Sequence, residues 1–199
     1  MRRTLAAALV TALTALVWSA SAGARGGHYV FVGGTASQQQ QVTFALDVSR
    51  FNWNLVPETI TIHLQRGSGT FARPGGIWID TELLDAGVFA WGPIQHEYAH
   101  QVDFFLLDTQ KRVLLNRLLG GKVWSYDASS ADLSFGHSSL GAERFASTLA
   151  WSYWQSPANS LKPSSPSDES AAMEPARFRS LLGRLLAPPH PAPQVLTVG

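Results

Sequence analysis

The chain has 199 residues, a net charge of +1 and no cysteine. The missing thiols exclude disulfides, thiolate metal ligands and a lipidated N-terminal Cys, and the balanced charge, with no basic run, speaks against nucleic acid as a partner. With 45% apolar residues, there is material for one domain with a substantial core.

Met1-Arg2-Arg3, followed by the apolar run 4–18, reads as a secretory signal peptide. Ala20-Ser21-Ala22 offers a cleavage point after Ala22, with Ala22-Gly23-Ala24 as a second option. Export to the periplasm or the medium is therefore expected, of a mature chain of about 175 residues. The apolar core is shorter than the ~20 residues of a spanning helix, and no later stretch is long enough, so no membrane span is expected after cleavage. Arg2-Arg3 hints at a twin-arginine route, but the polar residue that usually precedes the pair is missing.

The expected organisation is a signal peptide over 1–22, a domain over 28–156, a Ser/Pro linker over 157–170, a helix over 171–186 and a loose Pro-rich tail over 187–199. Within the domain, residues 33–41 are polar and Gln-rich, and 42–51 carry helical spacing. Thr59-Ile60-Thr61-Ile62-His63-Leu64 alternates as a half-buried strand, which puts His63 on the solvent face. Residues 66–76 read as a Gly-rich turn and 76–80 as a short strand. That strand is either interior or an edge whose free backbone groups would take up an extended peptide.

Residues 91–105 read as a zinc-binding helix. Pro93 suits a first helical turn, and no Gly or Pro follows until Gly120. His96 and His100 are four apart on one face, with Cβ atoms about 5–6 Å apart, so both rings can aim at one cation. Glu97 is turned about 100° from His96 and flanks the metal, where a general base acts on a metal-bound water. Six His and six Glu in 199 residues place these three fixed residues by chance in roughly 0.5% of cases. The bland alternative is an amphipathic helix whose histidines satisfy local polar contacts.

A Leu-rich helix over 111–119 is stopped by Gly120-Gly121, and an irregular loop is expected over 123–137. Ala142, Phe145, Ala146, Leu149, Ala150 and Tyr153 form a full amphipathic stripe. A catalytic zinc needs a third protein ligand, and the candidates are Asp127, Asp132, His137 and Glu143. Glu143 stands in the first turn of the amphipathic helix, where the helix dipole also favours a carboxylate. Asp103, three residues after His100, is placed to accept a hydrogen bond from a ligand His or from a neighbouring element.

His96-Glu97-Tyr98-Ala99-His100 with the downstream Glu143-Arg144-Phe145-Ala146 resembles the gluzincin type of zinc metallopeptidase. The nearest likeness is the small secreted bacterial group related to the anthrax lethal factor catalytic domain, which includes Pro-Pro endopeptidases. It covers residues 77–154. The resemblance implies an α+β, zincin-like metallopeptidase domain, with a small twisted sheet packed on the HExxH helix and on the Glu-bearing helix. It implies Zn2+ on His96, His100 and Glu143, and Glu97 as the activator of water. The group's oxyanion-steadying Tyr, a few residues before the Glu ligand, is replaced here by Gly136-His137, so His137 or Tyr126 is the candidate donor; His137 is otherwise a third ligand or an idle loop residue. The metzincin pattern fails, because Asp103 and Leu106 stand where it needs Gly and His. The implied function is a secreted zinc-dependent endopeptidase acting on a peptide or protein. The alternative is a zinc-binding pseudopeptidase that serves as an interaction module. Nothing in the sequence fixes an oligomeric state.

Overall fold

The computed structural model describes residues 26–126 and 136–188. The expected signal peptide, Asp127, Asp132 and the tail from 189 on lie outside the described residues. Among those described, no helix is long and apolar enough to cross a membrane.

The chain is α+β. Strand β1 (Tyr29–Gly33) leads through helix α1 (Ala36–Asp47) to β2 (Ile60–Leu64), and a hairpin follows, β3 (Phe71–Arg73) and β4 (Gly76–Ile79). Five further helices come next: α2 (Thr81–Leu84), α3 (Trp91–Leu106), α4 (Thr109–Leu118), α5 (Gly141–Tyr153) and α6 (Pro175–Leu186). The four strands make one mixed sheet in the order β1-β2-β4-β3. β1, β2 and β4 run parallel, and β3 is antiparallel to β4. Parallel neighbours need a crossover, and α1 supplies the first one.

Helix α1 begins six residues before the expected start at 42, because Thr35 and Gln38 close a capping box. The Thr35 hydroxyl accepts from the Gln38 N–H at 3.3 Å, and the Gln38 side chain accepts from the Thr35 N–H at 2.9 Å. The Gln-rich run is thus the first two turns of a helix, and Val42, Ala45 and Leu46 are its buried face. β1, which was not expected, buries Tyr29 and Phe31 on alternate positions.

The sheet's inner face, with Ile60, Ile62, Leu64, Ile77 and Ile79 all buried, shares one core with Leu46, Trp53, Ile94 and Tyr98. Each such side chain contributes roughly 1.5–3 kcal/mol on burial. His63 is on the opposite face, as alternation requires, and stacks on Trp78 with ring centroids 4.6 Å apart. The turn expected over 66–76 contains β3, so β4 is an interior strand and β3 is the edge. Gln101 of α3 pins that hairpin. Its amide donates to the carbonyls of Arg73 and Gly76 at 2.9 and 3.2 Å and accepts from the Gly75 N–H at 2.9 Å.

Helix α3 packs against α1, α5 and the β3–β4 hairpin, and α6 packs on α5. Pro175 opens α6, capped by the Glu174 carboxylate on the N–H groups of Ala176 and Arg177. Phe178 and Leu182 of α6 belong to the main core, with the Phe178 ring 6.0 Å from that of Phe145. The 157–170 stretch, expected as a linker, is instead a strap packed along α5. Asn159 is buried, donating to the Trp154 carbonyl at 2.9 Å and accepting from the Leu161 N–H at 2.9 Å. Gly92 of α3 makes room for it, since a Cβ there would overlap the Asn159 amide oxygen. Ser/Pro-rich composition describes a loose linker and a run of side-chain-capped turns equally well, and here the turns form.

Candidate metal centre

Helix α3 carries His96, Glu97 and His100 into the interior at 9, 8 and 5% exposure, and α5 brings Glu143 at 4%. The two imidazoles meet the carboxylate across the α3–α5 interface. His96 Nε2 is 3.0 Å from Glu143 Oε2 and 3.1 Å from His100 Nε2, and His100 Nε2 is 3.4 Å from Glu143 Oε2. Zinc–nitrogen and zinc–oxygen bonds of about 2.0–2.1 Å in a tetrahedron place ligand atoms about 3.3 Å apart. The three atoms fit that spacing. Among the described residues, His96, His100 and Glu143 are the group of three whose ligand atoms converge in this way.

The electrostatics suit a cation. Burial works to raise the Glu143 carboxyl, but hydrogen bonds from His100 and His96, together with their charges, outweigh it and hold the group well below the usual carboxylate range. Glu97 behaves oppositely: burial, opposed by the charge of His96 and reinforced by that of Glu143, pushes it up to about 7. One carboxylate is held ionised between the imidazoles while its neighbour is held closer to its neutral form.

Glu97, the three candidate ligands, His137 and Tyr126 line one cleft of about 210 Å³, and Thr70, Phe71 and Ala72 of the sheet edge form its wall. His137 sits in a 3₁₀ turn, His137–Ser139, just before α5. Its Nε2 is 3.3 Å from Glu143 Oε2, and its Nδ1 donates to Glu169 Oε1 at 2.7 Å. That hydrogen bond raises the imidazole's pKa, with burial working against it and the Glu143 charge adding to it. Tyr126 donates its hydroxyl to Asp103 Oδ2 at 2.6 Å, and burial followed by the Asp103 charge raises its pKa.

Asp103 is fully buried and accepts from Arg112 Nε at 2.7 Å, from Trp124 Nε1 at 2.9 Å and from Tyr126. Of the two partners expected for it, the neighbouring element is the one present; neither ligand His reaches it. His100 Nδ1 is buried without a hydrogen-bond partner among the described residues. His96 Nδ1 instead meets Ser147 Oγ at 3.0 Å, one turn beyond Glu143 on α5, and Ser147 donates to Glu169 Oε2 at 2.7 Å. Glu169 opens the 3₁₀ turn Glu169–Ala171 at the end of the strap. No motif marks it, because its distance from the other residues closes only when the strap folds against α5. Hydrogen bonds from His137 and Ser147 hold its carboxyl below the usual range against the burial that would raise it.

Comparison with known proteins returned no matching family model, curated sequence or solved structure.

Proposed function

We infer that the chain is a zinc-dependent endopeptidase of the gluzincin type, with a zincin-like arrangement of sheet, motif helix and Glu-bearing helix. The observation that carries this reading is the convergence of His96, His100 and Glu143 ligand atoms at 3.0–3.4 Å, beside Glu97 and inside a cleft walled by a sheet edge. With the signal-peptide reading of 1–22, the enzyme acts outside the cytoplasm on a peptide or protein.

His96 and His100 would hold Zn2+ through Nε2, and Glu143 through Oε2. Zinc, when bound, supplies Lewis acidity that lowers the pKa of water and polarises a carbonyl. Glu97 takes the proton of the attacking water and returns it to the leaving amine. The oxyanion donor is His137. The single proton of the Tyr126 hydroxyl is committed to Asp103 at 2.6 Å, whereas His137 has Nδ1 anchored on Glu169 and turns Nε2 into the cleft. The β3 edge offers backbone groups to an extended substrate.

A zinc-binding pseudopeptidase, an interaction module with no turnover, is favoured by one observation: no Tyr stands a few residues before Glu143. Chelator-sensitive cleavage of unstructured peptides separates the two readings. Glu97→Ala should abolish cleavage and keep one zinc per chain by elemental analysis; full activity in that variant would falsify the mechanism. Glu143→Ala should lose the zinc, and retention at full affinity moves the third ligand elsewhere.

A further inference from the structure

Ser147 and Glu169 lie behind the metal group, one on α5 and the other on the strap. A serine hydroxyl has one proton to give, and an ionised carboxylate only accepts. Ser147 gives its proton to Glu169 Oε2 at 2.7 Å, so its oxygen meets His96 Nδ1, 3.0 Å away, with lone pairs alone. The proton in that contact belongs to the imidazole. His96 therefore carries a hydrogen on Nδ1, so that Nε2, once the hydrogen it shares with Glu143 is released, is the nitrogen left to face a cation.

Resting on the metal-centre reading above, we propose that Glu169 is a positioning residue of that centre: acting through Ser147, it fixes the ring and tautomer of His96 for metal binding. The carboxylate is well placed to do this because it is anchored on every side. Its second oxygen accepts from His137 Nδ1 at 2.7 Å, its own carbonyl accepts from the Thr148 hydroxyl at 3.2 Å, and the next residue, Ser170, is buried. A glutamine amide of the same shape has one accepting and one donating arm, so either Ser147 or His137 would face a donor.

The test is a double-mutant cycle of Glu169→Gln and Ser147→Ala in the full chain. Zinc affinity is read by competition with a chromogenic chelator, beside thermal unfolding of the metal-free protein. Each single substitution should weaken zinc binding by about 10- to 100-fold, the range for lost outer partners of ligand histidines. The double variant should be no weaker than the weaker single, because both act along one chain of contacts. Thr148→Val, which removes one anchor of Glu169 but leaves Ser147 and both carboxylate oxygens in place, should weaken zinc binding by less than Glu169→Gln does. The relay is overturned by wild-type affinity in Glu169→Gln, by losses that multiply in the double variant, or by a Thr148→Val loss as large as that of Glu169→Gln. Zinc binding by the wild type with an unaffected Glu169→Gln overturns the relay alone, whereas a wild type that takes up no zinc overturns the metal centre as well.

Discussion

Helix α3 and the strap over 157–170 both bear on His96, the first by carrying it and the second through Ser147, and they are built on different physics. In α3 a ladder of backbone hydrogen bonds fixes every side chain's direction, and eleven of its sixteen residues are buried, so its geometry resists local change. The strap has no ladder. It is held by hydrogen bonds between nearby backbone and the side chains of Asn159, which donates, and Asp168, which accepts, and by the docking of Ser170 on α5. Segments of that kind open locally at a fraction of the global free energy, while a buried central helix opens with the whole domain. The candidate site thus combines proposed ligands on rigid elements with a carboxylate on a segment that is expected to undock separately.

Substitutions on the two sides should separate along that line. The largest effect is expected on α3: His100→Ala removes a ligand and should cost zinc affinity more than the about 10- to 100-fold of an outer partner, as measured by chelator competition. Asp103→Ala comes next. It removes the carboxylate to which Arg112 Nε, Trp124 Nε1 and the Tyr126 hydroxyl donate and should destabilise the domain by about 2–3 kcal/mol in urea unfolding, because hydrogen bonds to a buried charged group are lost. A loss that appeared only in zinc binding would blur the distinction between the two regions.

On the strap the effects should be smaller and local. Asn159→Ala should cost about 1–2 kcal/mol, visible as faster hydrogen exchange over 157–170 with α3 protection unchanged. Gly92→Ala is a sharper probe of the contact between the regions. Alanine in a helix ordinarily gains roughly 1 kcal/mol over glycine, but here its Cβ overlaps the Asn159 amide oxygen, so the variant should undock the strap. Stabilisation with an intact strap would show that the two do not press on each other.

The smallest effect is on pH. Backbone N–H groups of Ser164 and Ser165 and the Ser164 hydroxyl hold the exposed Asp168 carboxyl below its ordinary value of 3.8. A depressed folded-state pKa contributes stability that is present above the unfolded value and is lost as pH falls through the folded one. Exchange over 164–168 should therefore quicken below about pH 4, and the acceleration should vanish in Asp168→Asn.

Much of α3 and α5 was legible in the chain because helical period converts spacing into direction: four residues place His96 and His100 on one face, and the apolar stripe of α5 sets its buried side. Less legible were the elements whose local signals conflict. The Gln-rich start of α1 carries no apolar helical spacing although Thr35 and Gln38 cap it, and three residues of β3 were hidden in a Gly-rich turn. Strand order had no local signal, so only the sheet shows β4 to be interior and β3 to be the edge at the cleft.

By itself the sequence determined the helix bearing His96, Glu97 and His100 and the amphipathic helix with Glu143 in its first turn, since both follow from periodicity along a single element. The tertiary structure alone decided that Glu143 reaches both imidazoles within 3.4 Å, that Asp103 holds Tyr126 and not a ligand His, and that Glu169 meets Ser147. Those contacts join residues 22 to 47 positions apart in the chain. Their geometry is set by how separate elements pack, which no spacing along the chain encodes.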